Sequence, residues 1–228
     1  MRAGVLFSGG KDSCLALHIA KDKYDVACLL TIFSKNPYSY MFHTSNIKLT
    51  KIQSEALDIP ILTIDSSGKK ELELQDLKNL ILEAKNCYEI DTIVSGAIAS
   101  SYQAKRIESL CKELKLNIFN PLWNMSQIKV VEEVLKRNFE VIITSIAAYP
   151  LDCTWLGKKI DYEILQKLKE LETKFGLNPA GEGGEFETLV LDAPLFKKKI
   201  KIIEFEKHFD NNNYSGLFKV KKAILSEK

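Results

Sequence analysis

The sequence predicts an α/β fold, because short apolar segments rich in β-branched residues alternate with segments whose apolar residues recur at helical spacing. A second observation supports the same fold. The first apolar segment stops at a pair of glycines, Gly9 and Gly10, and a helical pattern begins directly after them. Beyond Pro121 the alternation becomes irregular. We therefore predict a parallel-sheet N-terminal domain at residues 1–120 and a smaller α+β C-terminal domain at residues 121–228.

Each predicted element of the first domain has a local reason. Strands are assigned to apolar runs, one of which starts after Pro60, and helices to stretches such as the one that places Leu77, Leu80 and Ile81 on one face. The strands are expected at 5–7, 26–33, 61–64, 91–96 and 117–119, and the helices after Gly10 and at 46–58, 69–87 and 102–116. Strands that alternate with helices imply right-handed crossovers and a parallel sheet.

Caps and turns define the elements of the second domain. Ser126 is suited to cap a helix, Gly176 to close one, and the turn-rich stretch 210–216 to separate two strands. Helices are expected at 126–137 and 161–175, and strands at 141–147, 189–191, 200–205 and 217–224.

Composition places the chain among ordinary globular proteins. Of its 228 residues 46% are hydrophobic, and the formal net charge of +2 gives no general reason to expect a nucleic-acid or membrane surface. The five cysteines form no C-x-x-C pair, so neither a zinc site nor a disulfide framework is expected. No signal-peptide pattern and no apolar run of membrane-spanning length is present, and we expect a cytoplasmic protein.

The segment Ser8–Ser13, with the sequence SGGKDS, lies between the first predicted strand and the first predicted helix. Its glycines let the backbone approach a ligand, and the first turn of the helix presents N–H groups at the positive end of the helix dipole. This combination favours an anion. Neither the G-x-x-x-x-G-K-[ST] loop nor the dinucleotide pattern G-x-G-x-x-G fits these residues.

Two further loops are predicted at the same edge of the sheet, because ligands of open parallel sheets bind beyond the carboxyl ends of the strands. One is Thr31–Ser34 and the other is Ser95–Ile98. Gly96 in the latter either lets an adenine or ribose press on the backbone or simply ends a strand.

The acidic segment, Gly181–Thr188 (GEGGEFET), carries Glu182, Glu185 and Glu187 among three glycines. Carboxylates this close raise one another's pKa unless a cation, a metal or hydrogen bonds offset the repulsion. The segment is therefore either a site or an exposed acidic turn.

Taken together, these motifs resemble a known family. SGGKDS resembles the pyrophosphate loop of the N-type ATP pyrophosphatases, and the full set resembles one family among them, the diphthine-ammonia ligases or diphthamide synthases, in their archaeal form. The motifs are MFHT at 41–44, GAI at 96–98 followed by Tyr102 and Gln103, PLW at 121–123, WLG at 155–157, GEGGEFET at 181–188 and DAPLF at 192–196. The resemblance spans nearly the whole chain and implies a Rossmann-like N-terminal domain similar to adenine nucleotide alpha hydrolases.

The resemblance implies ATP-dependent amidation of diphthine on elongation factor 2. Ammonium would supply the nitrogen, and an acyl-adenylate would form with release of AMP and pyrophosphate. The ATP-binding residues that the resemblance implies are Ser8, Gly9, Gly10, Lys11, Asp12 and Ser13. Thr31 and Gly96 are added to them from the two further loops at the same edge of the sheet. Two of these, Lys11 and Asp12, are also expected to be catalytic, since Lys11 would offset the charge of the pyrophosphate and Asp12 would help to hold Mg²⁺.

Two roles are open for Glu182, Glu185 and Glu187. One of these carboxylates attracts ammonium and acts as its base, or they pair with the trimethylammonium group of diphthine beside an aromatic ring. For each candidate ring, packing in the core is the favoured explanation. The substrate-binding candidates are Trp155, Phe186 and Tyr149 as aromatic faces, together with His43, Tyr102, Gln103 and Arg106.

Two other functions are retained as alternatives. The absence of paired cysteines disfavours a tRNA-modifying ATP pyrophosphatase, and the second domain disfavours a non-catalytic adenine-nucleotide sensor. The lysine-rich stretch 197–228 is interpreted as a half-buried hairpin and not as a docking surface. Elongation factor 2 is thus the expected partner, with no membrane and no direct nucleic-acid contact, and we also consider a homodimer.

Overall fold

The computed structural model describes residues 1–36 and 45–228, which form two β-sheets flanked by helices. The strands are β1 Arg2–Leu6, β2 Asp25–Ser34, β3 Ile61–Ser66, β4 Thr92–Val94, β5 Asn117–Phe119, β6 Glu140–Ala147, β7 Phe186–Asp192, β8 Lys199–Asp210 and β9 Ser215–Ser226. The α-helices are α1 Lys11–Lys21, α2 Thr50–Leu57, α3 Lys70–Tyr88, α4 Ser101–Glu113, α5 Gln127–Lys136 and α6 Tyr162–Phe175. Short 3-10 helices lie at Ile47–Leu49 and Cys153–Trp155.

The first sheet consists of parallel strands in the order β3-β2-β1-β4-β5. The order reverses next to β1, where β2 lies on one side and β4 on the other. This is the switch point at which open α/β sheets bind ligands beyond the carboxyl ends of their strands. The predicted α/β fold with a parallel, Rossmann-like sheet is confirmed.

The second sheet is antiparallel, with the order β7-β6-β9-β8, and the predicted C-terminal hairpin is formed by β8 and β9. One prediction is corrected here. β7 begins at Phe186, so Glu187 and Thr188 lie in a strand and not on a loop. The reason is their pairing with β6, in which Glu187 lies opposite Ser145 and Thr188 opposite Ile143.

A shared cluster of buried apolar side chains joins the two sheets. Leu15 and Leu17 of α1 belong to the same cluster as Val130 of α5 and Ile143 of β6, and all four are fully buried. Because α1 packs between the sheets, the two halves of the chain are held together by the hydrophobic effect. The division after residue 120 stays a prediction.

Two negative findings apply within the described residues. No helix there has the length and apolar character needed to cross a membrane. All five cysteines fall within those residues and are unpaired.

His18 fixes α1 to the DAPLF motif. Its Nδ1–H donates to the carbonyl of Cys14 at 2.7 Å, and its Nε2 accepts a hydrogen bond from the backbone N–H of Leu195 at 3.2 Å. Burial lowers the pKa of His18 to about 4, assisted by the positive charges of Arg137 and Lys228 and opposed by the Cys14 carbonyl and Asp22. A protonated ring could not accept the Leu195 bond, so the fold requires neutral His18.

The protein is therefore expected to lose stability as the pH falls from about 6.5, the pKa of histidine in an unfolded chain, to about 4, the pKa of His18 in the native state. In this range the unfolded chain binds a proton at His18 and the native state does not. The expected loss from this residue is about 3 kcal/mol, and nothing further is lost below the native pKa. Urea unfolding at pH 7 and pH 4.5 measures it. In His18→Asn, which has no titrating ring, the free energy of unfolding should change less between the two pH values. An identical change in both proteins would contradict the role of His18.

Candidate active site

The SGGKDS segment turns from β1 into α1 at the switch point of the parallel sheet. Gly9 has a φ of +78°, which glycine adopts without strain, and Gly10 is the N-cap of α1. Ser13 Oγ donates to the carbonyl of Gly10 at 3.1 Å and lies 3.2 Å from Ser8 Oγ. The strand, turn and helix that an anion-binding loop requires are thus present.

The edge of β7 holds this loop in place. Thr188 Oγ1 accepts from the N–H of Lys11 at 3.1 Å, and the N–H of Val190 donates to the carbonyl of Gly9 at 3.0 Å. Gln53 of α2 completes the arrangement, since its Nε2 donates to the carbonyls of Gly9 and Val190 at 2.9 and 2.8 Å. β7 is an edge strand, and here the loop takes the place of a neighbouring strand.

Sequence reasoning missed Gln53 and Thr188 as supports of the loop. Gln53 lies on α2, where no sequence motif marks a functional residue. Its role becomes evident only from its complete burial in the structure. Thr188 closes the GEGGEFET motif, which was the one available signal.

A cavity of about 240 Å³ opens beside the loop. Its polar side includes Ser8, Asp12, Ser13 and Glu182, and its apolar side includes Leu30, Ile32, Leu77 and Ile107. A cavity with one polar and one apolar side can hold a ligand that has a charged end and a flat apolar end.

The predicted ATP-binding residues divide into two groups. Ser8, Asp12, Ser13 and Gly96 line the cavity, whereas Gly9, Gly10, Lys11 and Thr31 are not among its lining residues. Thr31 donates from its hydroxyl to the carbonyl of Phe7 at 2.6 Å. A Cβ on Gly96 would lie 3.0 Å from backbone atoms of Asp12 and Ser13. The approach of α1 therefore already requires glycine at position 96, and a contact with adenine or ribose there stays a prediction.

Lys11 and Asp12 form a largely buried pair. Lys11 Nζ donates to Asp12 Oδ2 at 3.0 Å and to the carbonyl of Ala180, and it lies 5.6 Å from the ring centre of Phe186. Burial raises the pKa of Asp12 above its usual range, against the opposing charge and hydrogen bond of Lys11. Asp12 Oδ1 is buried and has no hydrogen-bond partner among residues 1–36 and 45–228. A carboxylate oxygen in this position is suited to coordinate a cation.

Two glutamates of the acidic segment are anchored by hydrogen bonds. Glu182 Oε1 accepts from the N–H groups of Ile98, Ala99 and Ser100 at 3.2, 2.7 and 3.1 Å, and its Oε2 accepts from Gln127 Nε2 at 2.8 Å. Glu187 Oε2 accepts from the N–H and hydroxyl of Ser45 at 2.9 and 2.6 Å. Both carboxylates thus tie the C-terminal half to loops of the N-terminal half.

Glu185 differs from the other two glutamates. Its Oε1 accepts from the N–H of Asn178 at 3.4 Å, whereas its Oε2 is buried and has no partner in the described part of the chain. A buried carboxylate oxygen without a donor is costly unless a ligand or cation satisfies it.

The remaining candidates lie in different environments. Phe186 is buried in the core, Trp155 is half-buried against it, and Tyr149 is 57% exposed. Gln103 lines the cavity, and the guanidinium of Arg106 lies 3.7 Å from the ring centre of Tyr102. His43 and the rest of the MFHT motif lie outside the described residues.

The fold and the site define a Rossmann-like α/β protein with a glycine-rich anion loop at the switch point of its sheet. The chain belongs to the diphthamide synthase family. The model of the diphthamide synthase N-terminal domain matches residues 1–118, and that of the diphthamide synthase C-terminal domain matches residues 126–225. The assignment from sequence motifs to this family of amide-forming ligases is confirmed, and such a ligase uses ATP and acts in diphthamide biosynthesis on a modified protein.

Individual relatives agree with the family model. The diphthine-ammonia ligases of Homo sapiens and Bos taurus are 35% and 34% identical to this chain, over 88% of this chain and 82% of their own lengths. The diphthine-ammonia ligase of Schizosaccharomyces pombe is 32% identical over 96% of this chain, which spans only 39% of that longer relative. A solved structure, described as a predicted subunit of tRNA methyltransferase from Methanocaldococcus jannaschii, matches with a TM-score of 0.44 at 21% identity, over 85% of this chain and 98% of that one.

Proposed function

We propose that this chain amidates diphthine on elongation factor 2, with ammonium as nitrogen donor, and converts ATP to AMP and pyrophosphate. The observation that carries the proposal is the uncommitted Oε2 of Glu185. Glu185 lies in the same short segment as Glu182 and Thr188. Glu182 lines the cavity, and Thr188 accepts a hydrogen bond from the glycine loop. The names of the relatives support diphthine as the substrate, and the glycine-rich loop supports the binding of ATP.

The proposed reaction has two steps. A carboxylate is a poor acyl donor and must first be activated. An oxygen of the diphthine carboxylate therefore attacks the α-phosphorus of ATP, and the bond from that phosphorus to the oxygen bridging the α and β phosphorus atoms breaks. Pyrophosphate leaves and an acyl-adenylate forms. Ammonium then loses one proton to a base, and the resulting ammonia attacks the acyl carbon. The bond to AMP breaks, and a second proton passes from the new amide nitrogen to the departing AMP or to water. Catalysis of both steps depends on positioning and on stabilisation of developing charge.

Ser8, Ser13 and the first turn of α1 would receive the pyrophosphate, and the apolar side of the cavity would receive the adenine. Mg²⁺ fits at Asp12, where it would screen phosphate charge. No group of three or more His, Cys, Asp or Glu side chains suited to a metal occurs in the described residues. The ion would therefore take most of its ligands from phosphate and water, as Mg²⁺ commonly does. Lys11 has its ammonium bound by Asp12 and Ala180, so we propose that it orients Asp12.

Glu185 is the proposed site for ammonium. Its unsatisfied oxygen offers a negative charge and a hydrogen-bond acceptor, which attract ammonium and then accept the proton that ammonium must lose before attack. Glu182 and Glu187 would act through position, since their hydrogen bonds fix the loops on either side.

Replacing Glu182 separates a positioning role from a catalytic one. Glu182→Ala leaves three backbone N–H groups without their acceptor, and we expect a loss of about 1–3 kcal/mol in the free energy of unfolding and a higher KM for ATP. Glu182→Gln keeps an acceptor for these groups, and Gln127 can turn its amide to match, because Gln127 Oε1 has no partner in the part of the chain that the structure describes. We expect the Gln variant to retain most of the turnover. Equal inactivity of both variants would show that Glu182 takes part in the chemistry.

The function is tested by incubating the purified protein with labelled ATP, ammonium and elongation factor 2 that carries diphthine. The expected result is amidated protein together with equal amounts of AMP and pyrophosphate, each dependent on the protein substrate. Release of ADP, or AMP formation that requires tRNA, would refute the proposal. A thiol-dependent tRNA-modifying reaction is disfavoured at Cys14, because burial raises the pKa of its thiol well above the usual range and keeps it protonated.

A further inference from the structure

Three exposed aromatic side chains form a cluster on the C-terminal half. Tyr149, Phe175 and Tyr214 are 57%, 48% and 38% exposed. The ring centre of Tyr149 lies 5.4 Å from that of Phe175 and 4.9 Å from that of Tyr214, with interplanar angles of 89° and 85°. Large rings that gather at the surface in this way form a patch for a ligand more often than isolated exposed rings do.

The cluster lies beside the acidic segment. At the end of the antiparallel sheet, Ala147 of β6 pairs with Ser215 of β9. The backbone N–H of Ala147 also donates a hydrogen bond to the backbone carbonyl of Glu185 at 2.8 Å. Tyr149 follows Ala147 by two residues, and Tyr214 directly precedes Ser215. The Glu185 carboxylate accepts from Asn178, which follows Phe175 by three residues. All three rings therefore stand on segments that converge on Glu185.

The chemistry of the cluster indicates the class of ligand. Aromatic faces set nearly perpendicular to one another attract a quaternary ammonium group, which offers no hydrogen bond and is held by the negative ring faces. Glu185, which carries a negative charge, belongs to the segment that meets these rings at the same end of the antiparallel sheet.

We propose that Tyr149, Phe175 and Tyr214 bind the trimethylammonium group of diphthine, an inference that rests on the proposed function for its substrate. Diphthine carries this group on the carbon next to the reacting carboxylate, so holding the cation also positions the acid that must be activated. The cluster then determines specificity for the methylated side chain and takes no part in bond formation.

The test compares Tyr149→Leu and Tyr214→Leu with Tyr162→Leu, a control at another exposed tyrosine that is 65% exposed. In the first two variants the KM for diphthine-bearing elongation factor 2 should rise at least tenfold, while the KM for ATP stays within twofold of the original. Tyr162→Leu should change neither constant. An unchanged KM for the protein substrate in both cluster variants would overturn the inference and leave the proposed function intact.

A binding measurement covers the case in which no amidation occurs. Tetramethylammonium is titrated into the full chain, and its binding is followed by the NMR chemical shifts of the tyrosine rings. The control titration uses tert-butyl alcohol, a neutral compound of similar shape. Binding of the cation that is lost in Tyr149→Leu, and absent for the neutral compound, supports the site even if the substrate is another quaternary ammonium. Equal binding of both compounds, or of neither, would refute it.

Discussion

Glu185→Gln is expected to abolish amide formation while ATP binding persists. The substitution keeps the shape and the hydrogen bond to Asn178 but removes the negative charge and the proton acceptor at the buried Oε2. Loss of a general base typically slows a reaction by a factor of about 10² to 10⁴. We expect turnover to fall at least about a hundredfold at saturating ammonium, measured as amidated elongation factor 2 formed per enzyme.

The ATP readout makes this prediction specific. ATP affinity, measured by titration calorimetry, should stay within twofold, because Glu185 is not among the residues that line the cavity. Glu172→Gln is the matched control, since Glu172 is an exposed glutamate on α6 and should leave both readings unchanged. Normal turnover in Glu185→Gln would remove Glu185 from the mechanism and with it the observation on which the proposed function depends.

Gly9→Ala is expected to destroy nucleotide binding. A left-handed backbone costs an alanine about 1–2 kcal/mol, and a Cβ at position 9 would lie 2.0 Å from Oε1 of Gln53. Gln53 is fully buried and holds Gly9 and Val190 together, so it cannot give way without releasing the loop from β7. We expect ATP affinity to fall more than about tenfold and the free energy of unfolding to fall by more than the strain alone.

Gly176→Ala provides the control for backbone strain. Gly176 has a φ of +69° at the end of α6, and no atom of the described residues lies within 4 Å of the Cβ that alanine would add. This variant should lose about 1 kcal/mol of stability and bind ATP normally. If the two variants bound ATP equally well, contact between Gly9 and Gln53 would have no part in forming the site.

Local patterns predicted the elements of this fold well. The strand before SGGKDS, the helix that begins within it and the helix caps at Ser126 and Gly176 depend on neighbours in sequence, and the structure has them. The start of β7 could not be predicted in the same way. Phe186 and Glu187 follow glycines and read as loop, and only their pairing with β6 makes them a strand.

The site was predictable as a set of motifs but not as a set of contacts. That Glu182 and Glu187 are anchored while Glu185 keeps an unsatisfied oxygen depends on Ile98 to Ser100 and on Ser45, which are far away in sequence. Likewise, the sequence offered Trp155, Phe186 and Tyr149 equally as aromatic faces. Burial alone separates Phe186 in the core from Tyr149 at the surface.

The attachment of the glycine loop to β7 has a consequence for biosynthesis of the protein. The loop leaves the ribosome well before Thr188 and Val190, the partners that hold it, because these residues follow it by nearly 180 positions. In a nascent chain the SGGKDS sequence is therefore present before the contacts from β7 that hold the loop can form.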